Sequence, residues 1–130
     1  MGALNENELA TVVMDVAFEI HRKLGPGLLE SAYRAVLLHE LRRRALAVEA
    51  EVPIPLVWDG VYVDVGYRAD LVVEGKLIVE LKSTEHVAPV HKKKLLTYLR
   101  IADCRLGLLI NFGSELLKNG ISRVVNQLEE

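Results

Sequence analysis

Between Glu6 and Leu24, apolar side chains return with the helical period. Val13, Val16, Ala17, Ile20 and Leu24 fall on one stripe, the signature of an amphipathic helix. Gly25-Pro26-Gly27 stops it. A second helix is predicted from about Leu28 to about Arg44, with Leu29, Ala32, Tyr33, Val36, Leu37 and Leu41 as its apolar positions. The period then changes to two. Val48, Ala50, Val52, Ile54 and Leu56 alternate with Glu49, Glu51, Pro53 and Pro55. That is a half-buried strand, and its prolines place it at a sheet edge. Asp59-Gly60 is a turn signal. Alternation resumes over Val61–Val65 and carries a strand on through Tyr67 to Val73, and a further strand covers Lys76–Lys82. His91 to about Ala102 reads as a third helix, and Arg105–Asn111 as a short continuous apolar strand before Phe112-Gly113. In the tail, Glu115–Lys118 suits a helical turn and Ile121–Val125 a last strand. The predicted order is ααβββαβ with a short C-terminal tail. The helix between the third and fourth strands implies a crossover, hence a mixed sheet in an α/β fold.

Composition narrows the class. A chain of 130 residues, 51% hydrophobic and 26% charged, fits one globular domain spanning residues 1–130. The lone Cys104 excludes an internal disulfide and suits a reducing compartment. Met1 to Glu6 carries no basic segment followed by an apolar one, so no secretory signal is expected, and Glu6 stands where myristoylation needs Ser or Thr. No apolar run reaches membrane-spanning length, so no membrane partner is expected and a cytoplasmic location is the default. A net charge of −2 argues against coating nucleic acid through bulk charge. Arg42-Arg43-Arg44 and Lys92-Lys93-Lys94 are local basic runs, each read alone as a solvated helix face.

Charge set inside the strands changes the picture. Asp70, Glu80 and Lys82 sit in apolar runs that meet at Glu74-Gly75, and charge buried in a strand is costly unless it is used. Glu80 and Lys82 share a face with Lys76 and Ile78, opposite Leu77, Val79 and Leu81. A two-residue Glu74-Gly75 loop would place Asp70 opposite Val79, on the wrong face. A three-residue loop, Val73-Glu74-Gly75, pairs Val72 with Lys76 and sets Asp70 opposite Ile78, diagonal to Glu80. The three-residue loop is the expectation, because only then do the carboxylates converge. Converged, two hard oxygen ligands suit Mg2+ or Mn2+, and Lys82 lies beside the reacting phosphate to stabilise charge or orient water. The bland alternative is a set of edge charges paired with each other or with Arg68.

These residues resemble the PD-(D/E)xK nuclease superfamily and, within it, the GxxExxY proteins. Gly27-Leu28-Leu29-Glu30-Ser31-Ala32-Tyr33 matches the motif at every specified position. Its context matches too, with His21 and Leu24–Gly27 before it, Tyr67-Arg68-Ala69-Asp70 and Val79-Glu80-Leu81-Lys82 in the hairpin, Leu95–Leu99 in the third helix and Gly107–Gly113 after it. The resemblance covers about His21 to Gly113. It implies a restriction-endonuclease-like core sheet flanked by helices, with Glu30, Asp70, Glu80 and Lys82 converging on a divalent metal. It supplies no substrate. One position departs. A Gln is typical where this chain has Lys94, on a helical stripe with His91 and Tyr98. A Gln there hydrogen-bonds the site, whereas a Lys binds phosphate, competes with the metal, or extends the solvated run.

The remaining candidates are weighed the same way. Glu30 complements a helix dipole or serves as a third carboxylate, directly or through water. Tyr33 reads as a packing residue whose hydroxyl fixes Glu30 or nearby backbone. Arg68 is a phosphate contact or a Glu80 partner. His21 is a structural or site-supporting residue near the Glu30 turn, and Tyr98 supports the site from the third helix. His86, His91 and Cys104 have no zinc-site spacing. Trp58 and Tyr62 read as turn and strand surface, able to stack on bases. The expected function is a Mg2+-dependent nuclease acting on DNA or RNA; the alternative is a catalytically inactive nuclease-fold module that binds nucleic acid or a protein. A homodimer facing a duplex is a candidate assembly, with no interface pattern in the sequence to mark it.

Overall fold

The computed structural model describes residues 3–128, so Met1-Gly2, the start of the segment read for a leader, lies outside the described residues. Helix α1 (Glu6–Leu24) begins with a reciprocal cap: Glu8 N–H donates to Asn5 Oδ1 at 2.8 Å, and Asn5 N–H donates to Glu8 Oε1 at 3.0 Å. It ends at Gly25, whose φ of +74° with ψ of −173° only glycine adopts readily. Helix α2 (Glu30–Arg43) starts two residues later than the sequence suggested.

The strands are β1 (Val48–Pro53), β2 (Leu56–Trp58), β3 (Val61–Val63), β4 (Arg68–Val73) and β5 (Leu77–Lys82). Helix α3 (Pro89–Ala102), β6 (Leu106–Asn111), a 3-10 turn (Leu117–Gly120) and β7 (Ile121–Val125) follow. The main sheet has the order β1-β4-β5-β6-β7. β5 and β6 are parallel and the other neighbours antiparallel, as expected when α3 carries the chain across. β1 is an edge strand, as its prolines required.

The predicted element order needs two corrections. The alternation from Val48 to Leu56 is not one strand. β1 stops at Pro53, and a positive φ of 51° at Glu51 turns the strand within its length. Val48 and Ala50 therefore pack on one side of the sheet, while Val52 and Ile54 pack on the other. Nor does the Val61 strand run on into Tyr67. Gly66 takes φ +70° and its N–H donates to Asp64 Oδ1 at 2.8 Å, a local turn that separates β3 from β4. β2 and β3 pair only with each other. The α/β class and mixed sheet stand.

Two apolar layers hold the sheet. Leu9, Val13, Ala17, Tyr33, Leu37 and Leu41 from α1 and α2 pack on Leu71, Val79 and Leu81. Leu95 and Leu99 from α3 pack on Ala69, Ile78 and Leu109. α3 sits close because Gly107 has no side chain, and a Cβ there would meet Leu95 at 3.0 Å. No helix among the described residues is long and apolar enough to cross a membrane.

Candidate active site

The β4–β5 hairpin turns on Glu74 and Gly75, with φ of 53° and 64°, and Lys76 N–H closes the turn on the Val73 carbonyl at 3.0 Å. The register pairs Val73 with Leu77, Val72 with Ile78 and Leu71 with Val79. The loop is Glu74-Gly75-Lys76, not Val73-Glu74-Gly75 as expected. Its odd length is retained, so the carboxylates still converge. The shifted register brings Asp70 level with Glu80 itself rather than with Ile78. The physical cause is the turn: two consecutive left-handed residues bend the chain at once, leaving Lys76 as the extra residue.

Beyond Leu71 and Val79 the two strands part. Leu81 N–H no longer meets a strand carbonyl and donates instead to Asp70 Oδ2 at 2.8 Å. Arg34, reaching down from α2, donates to Asp70 Oδ1 at 3.0 Å and to Glu51 Oε1 at 3.3 Å. Glu80 Oε2 accepts from the Tyr67 hydroxyl at 3.0 Å. Burial, then hydrogen bonding to and repulsion by Asp70, push the Glu80 carboxyl up to about 8, while Tyr67 and Lys82 pull the other way. The same surroundings raise the Tyr67 hydroxyl, which therefore stays a donor. Tyr67 is clamped flat against Tyr98, ring centroids 3.5 Å apart.

A cavity of about 210 Å3 opens here, lined by Tyr67, Glu80, Lys82, His91, Lys94 and Tyr98. The helical stripe of His91, Lys94 and Tyr98 thus meets the strand face of Glu80 and Lys82. Burial and the two lysines hold the His91 imidazole below its ordinary value, against the opposing pull of Glu30.

The other sequence candidates fall elsewhere. Glu30 lines the shallow recess next to Arg34 and Ser83, and no three Asp, Glu, His or Cys residues gather as a ligand set among the described residues. Tyr33 is fully buried and stacked on Phe112 at 4.4 Å. Its hydroxyl donates to the Gly25 carbonyl and accepts Leu28 N–H at 3.1 Å, so it fixes the backbone of the turn before Glu30. His21 bonds the Ser114 carbonyl at 2.8 Å, away from the cavity. Arg68 is exposed and forms no ion pair with Glu80; it lines a separate groove with Tyr62.

Sequence reasoning missed Arg34 and undervalued Tyr67 and His91. Arg34 lies one helical turn after Glu30, and that spacing was the signal available.

Two hard carboxylates side by side, one of them with its pKa raised by burial and by the other, are oxygen donors of the kind a divalent cation takes. Residues 7–124 match the sequence profile of the PD-(D/E)XK nuclease superfamily. No curated protein and no solved structure matches the chain.

Proposed function

The chain belongs to the PD-(D/E)XK nuclease superfamily, and from that premise we propose that it is a Mg2+- or Mn2+-dependent nuclease hydrolysing phosphodiester bonds in DNA or RNA. The observation that carries this reading is the fork between β4 and β5, where Asp70 and Glu80 meet with Lys82 on the Glu80 side. Asp70 and Glu80 are the residues that would hold the cation, whose charge would offset what burial and the neighbouring Asp70 impose on the Glu80 carboxyl. Once bound, such a cation lowers the pKa of its water and polarises the phosphate.

The chain's own groups supply the rest. The Leu81 amide fixes one Asp70 oxygen, and the Tyr67 hydroxyl fixes one Glu80 oxygen. The Lys82 ammonium offsets the negative charge that develops on the phosphate oxygens, and Lys94 adds a second cation on the opposite wall. Glu30 adds its charge from the head of α2, where it already acts on His91.

The test is cleavage of single- and double-stranded DNA and RNA with Mg2+ or Mn2+ against EDTA. Metal-dependent nicking is expected, and Lys82→Ala should slow it on the order of 100-fold. Asp70→Ala should abolish it. Intact substrates under every condition would overturn the reading.

One observation favours the alternative, an inactive module that binds nucleic acid or a protein: the Arg34 guanidinium already occupies Asp70 Oδ1. Calorimetric titration of Mn2+ separates the two. Binding lost in Asp70→Ala supports the nuclease, and no binding to the wild type supports the module.

A further inference from the structure

We propose that the β2–β3 hairpin is a stacking arm that holds an unpaired strand of nucleic acid and feeds it to the Glu80 cavity. The proposal rests on the nuclease reading and names its substrate as single-stranded.

The hairpin pairs with no strand of the main sheet, yet it is strongly apolar and exposed. Tyr62 is 77% exposed and Trp58 68%, with Val57 and Val61 exposed beside them. Exposed apolar side chains on both faces of a two-stranded hairpin are costly in water unless something covers them. Val57 is paired with Tyr62, and Trp58 with Val61, so the two aromatic rings lie on opposite faces. Only Tyr62 faces the groove, a space of about 600 Å3 that it lines together with Pro53, Ile54, Tyr67 and Arg68. Tyr67 is also a wall of the Glu80 cavity. Tyr67 is therefore a wall that the groove and the candidate chemistry share.

Charge marks the occupant. Arg68 lies in the groove, and Lys82 and Lys94 lie in the cavity beyond Tyr67. None of the three is in an ion pair among the described residues; those pairs involve Arg34, Arg43, Arg44 and Lys23. The one carboxylate in the groove, Asp64, is engaged by the Gly66 N–H. Cations not held in ion pairs, running past the one exposed ring in the groove, Tyr62, match a phosphate backbone with a base turned out onto that ring. A duplex keeps its bases stacked on each other and leaves Tyr62 no face to cover. With a net charge of −2, bulk attraction is weak, and stacking must carry the affinity.

The experiment measures binding of labelled single-stranded DNA, single-stranded RNA and duplex DNA to the full chain in EDTA, where no cleavage confuses the reading. Trp58, the chain's one tryptophan, reports from the same hairpin by its fluorescence. Tyr62→Ala should weaken single-strand binding about tenfold, and Tyr62→Trp should restore it. Arg68→Ala should reduce the steepness of the log-affinity against log-salt plot by about 0.7. The duplex should bind more weakly than either single strand. Wild-type affinity in Tyr62→Ala overturns the proposal, as does a preference for duplex or no single-strand binding at all. A dimer in sedimentation that Tyr62→Ala splits also overturns it, because a second copy would then cover the hairpin. Stacking-dependent binding without cleavage leaves the arm standing and removes the nuclease reading, whereas cleavage with Tyr62-independent binding does the reverse.

Discussion

Glu80 carries the clearest consequence at the scale of single residues. Its carboxyl is pushed up to about 8 in the fold and ionises near 4.5 when free. Between those values the metal-free folded chain keeps a proton that the unfolded chain has released. The stabilising effect of that proton is complete below the free value and is lost as pH rises through the folded one. Urea titrations in EDTA should therefore show stability falling from about pH 5 to about pH 8. Glu80→Gln should flatten the fall, since it keeps a neutral side chain throughout. An equal fall in the variant would mean that another group is responsible. That Asp70 and Glu80 approach each other was legible in the alternation of the strands, given an odd loop. That Arg34 grips Asp70 was not, because local pattern does not say which strand residue a helix face meets.

For the elements, the turn between α1 and α2 positions Glu30. Gly25 holds φ +74° with ψ −173°, and the buried Tyr33 hydroxyl ties the Gly25 carbonyl to the Leu28 amide. A Cβ at Gly25 would touch nothing within 4 Å, so any cost of Gly25→Ala is backbone strain alone. That cost should be about 1–3 kcal/mol by urea denaturation, and no loss at all would show that the turn relaxes freely. Pro26 and the two glycines made a break visible in the sequence. The β2–β3 hairpin was half visible: Asp59-Gly60 marked its turn, but the alternating pattern continued across Pro53–Pro55 and Gly66. Periodicity records which side chains alternate and does not record a kink such as Glu51, where the strand keeps its spacing and changes faces.

Across the whole molecule, one sheet separates two apolar layers with different duties. Leu37 is fully buried in the layer under α1 and α2, and Leu95 is 1% exposed under α3. Either leucine cut to alanine should cost about 2–5 kcal/mol of stability. Their effects on nucleic-acid handling should differ. α3 carries His91, Lys94 and Tyr98 into the cavity and rests on Gly107 through Leu95. Leu95→Ala should therefore lower cleavage at temperatures where the protein is still folded by circular dichroism, and Leu37→Ala should lower it much less. Equal losses would mean that α3 is held firmly without Leu95.

What the sequence by itself determined is what depends on neighbours along the chain. It set the helices and their stops, the edge position of β1, the mixed sheet implied by a helical crossover, and the charged triplet that the superfamily match covers. Tertiary structure decided what depends on distance across the fold. It chose Glu74-Gly75-Lys76 as the loop and parted β4 from β5, so that the Leu81 amide turned to Asp70. It set Tyr67 against Tyr98, brought Arg34 to Asp70, and left Glu30 and His21 outside the cavity. Period and turn chemistry act over a few residues, whereas the partner of a buried charge is chosen by whichever side chain the packing delivers to it.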